Sequence, residues 1–178
     1  VTSVTPTEEI NAETPPAIPL IGYRDRVKPE WIDNNDHLNS MHYKTIADMG
    51  TRALFKVGGL TADNLRATNN SAFQLEIHMC FEREMRLDDA FEVRSWLIDI
   101  DAKRLHHFHE IVRTADNIRA ATVELMTVFI DRTTRRTAPM PEAMQAQFQQ
   151  IVATRAGVTL PDKLSRRIRM ERDDDKKN

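Results

Sequence analysis

The chain has 178 residues, is 40% hydrophobic, and carries 25 basic against 27 acidic side chains for a formal charge of −2. That content suits one globular domain with a sizeable core, and the charge balance excludes a general nucleic-acid footprint, so any anionic ligand has to be held by a local group of cations. One cysteine, Cys80, cannot form an internal disulfide, and neither a signal-peptide pattern nor an apolar run of bilayer length occurs, so the expectation is a soluble, cytoplasmic protein with no membrane partner.

Residues 1–19, "VTSVTPTEEINAETPPAIP", have the Thr, Pro and Glu content of an extended or disordered arm. "IGYRDRVKPEW" reads as a first strand that ends where Pro29 and a polar cluster break the pattern. From Leu38 to about Val57 the apolar residues Ile46, Ala53, Leu54 and Val57 recur at helical spacing, and Gly58 and Gly59 stop the run. Ala47, Gly50 and Ala53 on its inner side allow another backbone to come close. After the polar connection "TADNLRATNNS", four strands are expected over Ala72–Phe81, Ala90–Ile100, Leu105–Thr114 and Ile118–Ile130, joined by short turns in an antiparallel meander. The second of them is apolar on both parities near Trp96, Leu97 and Ile98, which predicts cover on both faces or a bulge. A short amphipathic helix from Pro141 to about Thr154 presents Met144, Phe148 and Ile151. The expected domain thus runs over residues 20–155, and residues 156–178, ending "RRIRMERDDDKKN", form a solvated charged tail. No repeat, Walker loop or GxGxxG occurs.

The cluster "PEWIDNNDHLNSMHY" at the doorway of the long helix is where chemistry concentrates. The first N–H groups of a helix lack partners, and its dipole is positive there, so an oxyanion fits that end. Asp33 lies just upstream and supplies a base or nucleophile beside it. His37 and Asn39 are placed to orient the carboxylate, a water or a carbonyl, with helix capping as the alternative for Asn39.

"WIDNNDHLNSMHY" resembles the D-x-x-G-H-x-N-x-x-x-Y signature of hotdog-fold acyl-CoA thioesterases of the 4-hydroxybenzoyl-CoA thioesterase type, matching at Asp33, His37, Asn39 and Tyr43. The resemblance implies an α+β hotdog fold: a long central helix wrapped by a curved antiparallel sheet of about five strands, with a short C-terminal helix added. It implies a cofactor-independent thioester hydrolase, a homodimer or a multiple of one with sites at the subunit interface, and Asp33 as nucleophile or general base. The signature's Gly is Asp36 here. If that position needs positive φ, Asp is one of the few tolerable substitutes.

"VKPEWIDNNDHLN", "FQLEIHMCFERE", "DIDAKRLHHFHE" and "FIDRTTRRTAPMPE" look like the thioesterase branch associated with carnitine breakdown, which implies hydrolysis of betainyl-CoA to glycine betaine and CoA. A trimethylammonium group is recognised by aromatic faces and a nearby negative charge. Trp31, Tyr43 and Phe73 are the candidate aromatics and Glu76 the charge, with His78 on the same strand face as Glu76; packing is the competing role for the aromatics. Lys103, Arg104, Arg135 and Arg136, at strand ends, are the candidate cations for the CoA phosphates. His107 and His109 share a strand face, but no third ligand has metal spacing, so alternating polar residues on a half-exposed strand are expected and no metal. The rival function is a non-catalytic acyl-CoA-binding or dimerisation module of the same fold.

Overall fold

The computed structural model describes residues 17–165. In chain order it contains β1 (Leu20–Arg26), a 3-10 turn (Pro29–Trp31), α1 (Ser40–Val57), α2 (Ala62–Ala67), β2 (Asn70–Phe81), β3 (Ala90–Ile100), β4 (Arg104–Arg113), β5 (Ile118–Asp131) and α3 (Glu142–Ala153). All five strands form one antiparallel sheet in the order β1-β3-β4-β5-β2, against which α1 packs. This is the expected hotdog arrangement. No described helix is long and apolar enough to cross a membrane.

Gly50 explains how α1 sits so close to the sheet. A Cβ there would lie 2.5 Å from Val93 Cγ1, 3.0 Å from Ser95 Oγ and 3.2 Å from His109 Nδ1, so only hydrogen fits. Around that approach Ile46, Ala47 and Leu54 are buried against β3, β4 and β5, where each large apolar side chain contributes roughly 1.5–3 kcal/mol. The expected irregularity in β3 is a register shift between Leu97 and Asp99, with Trp96, Leu97 and Ile98 all buried. Trp96 meets Phe108 edge-on, and Met144, Phe148 and Ile151 of α3 join the same apolar cluster as Leu54 and Phe55 of α1.

Three expectations need correction. α1 begins at Ser40 rather than Leu38, because Leu38 is extended: it forms a β-bridge with Ile32 and donates its N–H to Met85 O at 2.7 Å. The polar connection contains α2, whose start is capped by Thr61 Oγ1 accepting from the Asn64 N–H. Ile18, just before β1, is buried in the core. At the other boundary Leu164 packs against the core, Asp162 pairs with Arg119 at 2.6 Å and the Ser165 N–H donates to Glu124 Oε2 at 2.8 Å. The remainder of the arm and of the charged tail lies outside the described residues.

The third correction concerns His107 and His109, which are fully buried beneath α1 rather than half-exposed. Their rings are 3.0 Å apart, Nδ1 to Nε2, with Thr127 Oγ1 3.0 Å from His107 Nε2, and Ser95 Oγ and Thr51 Oγ1 at 2.8 and 2.9 Å from His109. One consistent proton order runs from the Ser95 hydroxyl to His109 Nδ1, from His109 Nε2–H to His107 Nδ1, and from His107 Nε2–H to Thr127. Both rings are then neutral and satisfied. Among the described residues no third metal-ligating side chain joins them.

Burial pushes the His109 pKa down to about 3 and His107 well below its ordinary value, while in the unfolded chain both titrate near ~6.5. Between those values the unfolded state binds more protons, so stability is fully present above about pH 7 and falls as the pH drops toward 3. Between pH 7 and 5 the His109 ring accounts for a loss of about 2 kcal/mol, which by itself lowers Tm by roughly 5 °C, and His107 adds to it in the same direction. Calorimetry at the two pH values checks this, and a Tm unchanged between them contradicts it.

Candidate active site

The acidic loop is built by two anchors. The Ile32–Leu38 bridge closes it, and within it the Asp33 N–H donates to His37 O at 2.9 Å, the Asp36 N–H to Asp33 O at 3.1 Å and the Asn35 N–H to Asp33 Oδ1 at 2.8 Å. Asp33 is half-buried, and its second carboxylate oxygen takes no hydrogen bond among the described residues. Asp36 has φ 60, the left-handed conformation that the Gly of the signature would adopt without strain. The substitution thus preserves the loop's path.

Asn39 is the N-cap of α1: its Oδ1 accepts the Met41 N–H at 3.0 Å, its carbonyl accepts the His42 N–H at 2.9 Å, and its own N–H donates to Trp31 O. This leaves the Ser40 N–H as the donor of the first turn that has no partner among the described residues, at the positive end of the dipole. His37 turns its Nε2 to Glu84 Oε2 at 2.8 Å. Glu84 belongs to the connection between β2 and β3, which also supplies Met85, the acceptor of the Leu38 N–H. Neither Ser40 nor Glu84 stood out in the sequence, because "FERE" reads as an ordinary charged turn and a backbone donor leaves no mark on residue type.

Trp31 stacks on His42 with ring centroids 5.5 Å apart and carries the Lys28 ammonium 4.8 Å above its ring. Tyr43 is buried in the inner face of α1, is hydrogen-bonded to the Met85 backbone and meets Phe81 edge-on at 5.2 Å; burial raises its pKa. Phe81 itself is 55% exposed beside it. Glu76 is exposed on β2, and His78 lies a turn of the pleat further on, opposite Glu124.

The remaining candidates gather elsewhere. The Arg135 guanidinium lies 5.1 Å from the Phe73 ring, and Arg136 is exposed in the same turn after β5. Lys103 and Arg104 line a cleft of about 400 Å³ with Leu75, Asp101, Ala102, Val128 and Thr137. Arg104 pairs with Asp101 at 2.6 Å, and that guanidinium holds the Asp101 carboxyl below its usual range. Phe73 and Phe81 are eight residues apart on one strand, or about 26 Å at ~3.3 Å per residue. Within one chain, the acidic loop with Trp31 and Tyr43 therefore sits at one end of the sheet and Phe73 with the four cations at the other.

Residues 27–148 match the thioesterase-like superfamily. Among curated proteins, the betainyl-CoA thioesterase of Pseudomonas aeruginosa is 30% identical over 149 residues, covering 84% of this chain and 94% of that protein. The L-carnitine dehydrogenase/betainyl-CoA thioesterase of Agrobacterium fabrum is 32% identical over 154 residues, 86% of this chain but 31% of that longer protein. Among solved structures, the protein SAV2348 of Staphylococcus aureus, in complex with CoA, superposes with a TM-score of 0.80 at 27% identity, over 88% of this chain and 99% of that one. The 1,4-dihydroxy-2-naphthoyl-CoA thioesterase of Synechocystis superposes with a TM-score of 0.66 at 15% identity, over 72% of this chain and 95% of that one, a likeness of fold. Match, fold and loop agree: this chain belongs to the thioesterase-like superfamily and is a thioester hydrolase of hotdog fold.

Proposed function

We propose that the protein hydrolyses betainyl-CoA to glycine betaine and free CoA, with Asp33 as the catalytic carboxylate and the Ser40 N–H as an oxyanion donor. The observation that carries the chemistry is the half-buried Asp33 carboxylate, with one oxygen held by Asn35 and the other open, just before the unpaired N–H at the start of α1. The thioester carbonyl oxygen approaches Ser40, and negative charge developing on it is stabilised there. Either Asp33 attacks the carbonyl carbon and water later cleaves the acyl-enzyme, or Asp33 takes the proton of an attacking water. In both courses the C–S bond breaks, the CoA thiolate leaves and picks up a proton, and the acid is released. His37 and Asn39 hold the loop and the helix start on which this depends.

We further infer a homodimer formed through β2. This edge strand leaves Phe73, Leu75, Ile77 and Phe81 exposed at 39, 61, 42 and 55%, an apolar edge that a second copy would cover. If two such strands pair antiparallel about a two-fold axis, the far end of one lies beside the near end of the other. The ring of Phe73 and the cations Lys103, Arg104, Arg135 and Arg136 of one subunit then approach the Asp33 loop of the other. That supports their assignment to acyl and CoA binding in trans. Phe81 offers the open ring face for a quaternary ammonium, backed by Tyr43, with Trp31 assigned to the same loop's side of the site and Glu76 and His78 along the same strand.

The substrate is tested with betainyl-CoA against 3,3-dimethylbutanoyl-CoA, which replaces the ammonium nitrogen by carbon at nearly equal size. The Phe81 ring face together with a nearby carboxylate predicts about a tenfold or greater preference in kcat/KM for the cation. A preference for the neutral analogue removes the betainyl assignment and leaves the thioesterase. Tight binding of acyl-CoAs without CoA release from any of them identifies the chain as the binding module instead.

A further inference from the structure

The loop that carries Asp33 is fastened to the β2–β3 connection at two adjacent positions. The Leu38 N–H donates to Met85 O at 2.7 Å, and His37 Nε2 donates to Glu84 Oε2 at 2.8 Å. The Glu84 carboxylate is itself aimed: Arg86 Nε and Nη2 donate to its other oxygen at 3.1 and 2.7 Å. Its backbone is pinned as well, because Arg113 Nη1 donates to Glu84 O at 3.2 Å and Met85 is fully buried. His37 in turn accepts the Asp33 N–H through its carbonyl. The path from Glu84 to the catalytic carboxylate is thus one side-chain bond and one backbone bond.

Resting on the thioesterase reading, we propose that Glu84 is a positioning residue for the hydrolysis. With Nε2–H committed to Glu84, the His37 ring is held in one orientation. Holding the ring also holds the His37 carbonyl, and with it the Asp33 backbone. The pair has little to do with folding: the side chains are 33% and 47% exposed, and an ion pair of that exposure adds little to stability. Its effect is on the geometry of the loop, where small misplacements are expensive in rate.

The test uses the full chain and whichever acyl-CoA the wild type turns over. Glu84→Ala is expected to lower kcat about tenfold, with KM changed by less than about twofold and Tm by less than about 2 °C. Glu84→Gln keeps an oxygen that accepts the His37 N–H, and it is expected to restore kcat to within about threefold of wild type. Because both residues act through one bond, His37→Ala/Glu84→Ala is expected to be no slower than His37→Ala alone. Glu84→Ala with wild-type kcat, Glu84→Gln as slow as Glu84→Ala, or losses that multiply in the double variant would each overturn the proposal. A wild type that releases no CoA instead overturns the thioesterase reading, and the role of Glu84 with it.

Discussion

Asp33→Asn is expected to lower kcat for CoA release at least ~100-fold while fold and assembly persist, the scale set by removing a positioned general base. The substitution is nearly isosteric, and the Asn side-chain oxygen still accepts the Asn35 N–H that the carboxylate accepts at 2.8 Å. The backbone bonds to His37 and Asp36 involve no side chain and stay in place. What is lost is the charge and the proton acceptor, so the effect belongs on kcat with KM little changed. Steady-state kinetics with the preferred acyl-CoA measures it, alongside the thermal unfolding midpoint as a control for folding. A variant of near wild-type rate would move the chemistry from Asp33, and Asp36, exposed at φ 60 three residues on, is the next carboxylate to replace.

On the proposed dimer, Leu75→Asp/Ile77→Asp should give a monomer with CoA release reduced at least ~100-fold, comparable to loss of the catalytic group, because a site completed in trans would lose its phosphate-binding and acyl-binding half. Both side chains are substantially exposed on the edge strand, so in an isolated chain the charges meet water and cost little. Across a pairing edge they place carboxylates in an apolar seam without partners, which disfavours association. Mass in solution and activity are read on the same sample, with cooperative unfolding as evidence that the monomer remains folded. A fully active monomer would place the whole site in one chain, and an unchanged dimer would move the interface away from β2.

The elements themselves were legible because burial imposes periods on the sequence. The 3.6-residue period through Ile46, Leu54 and Val57 announces α1, alternation announces the strands, and the double-sided apolar stretch at Trp96–Ile98 announces the bulge. α2 was hidden because a polar six-residue helix with no buried residue has no apolar face to produce a period. Its one sign was Thr61 three residues before Asn64, a cap signature that turns share.

Of the site, the sequence by itself determined the loop: Asp33, the His37 and Asn39 positions, and the tolerance of Asp36 for positive φ, since turn and cap chemistry is local and depends on the residues present. Only the tertiary structure decided the rest. His107 and His109 look like alternating polar residues, but the approach of α1 at Gly50 buries them, and burial leaves hydrogen bonding among Ser95, Thr51 and Thr127 as the way to satisfy them. Glu84 lies 47 positions beyond His37, and no local pattern joins them; the bridge from Leu38 to Met85 does. Likewise the eight positions from Phe73 to Phe81 are a short interval in the sequence, yet an extended strand makes them a separation of about 26 Å. Local chemistry is written in residue types, whereas distances and partners are set by which surfaces the fold presses together.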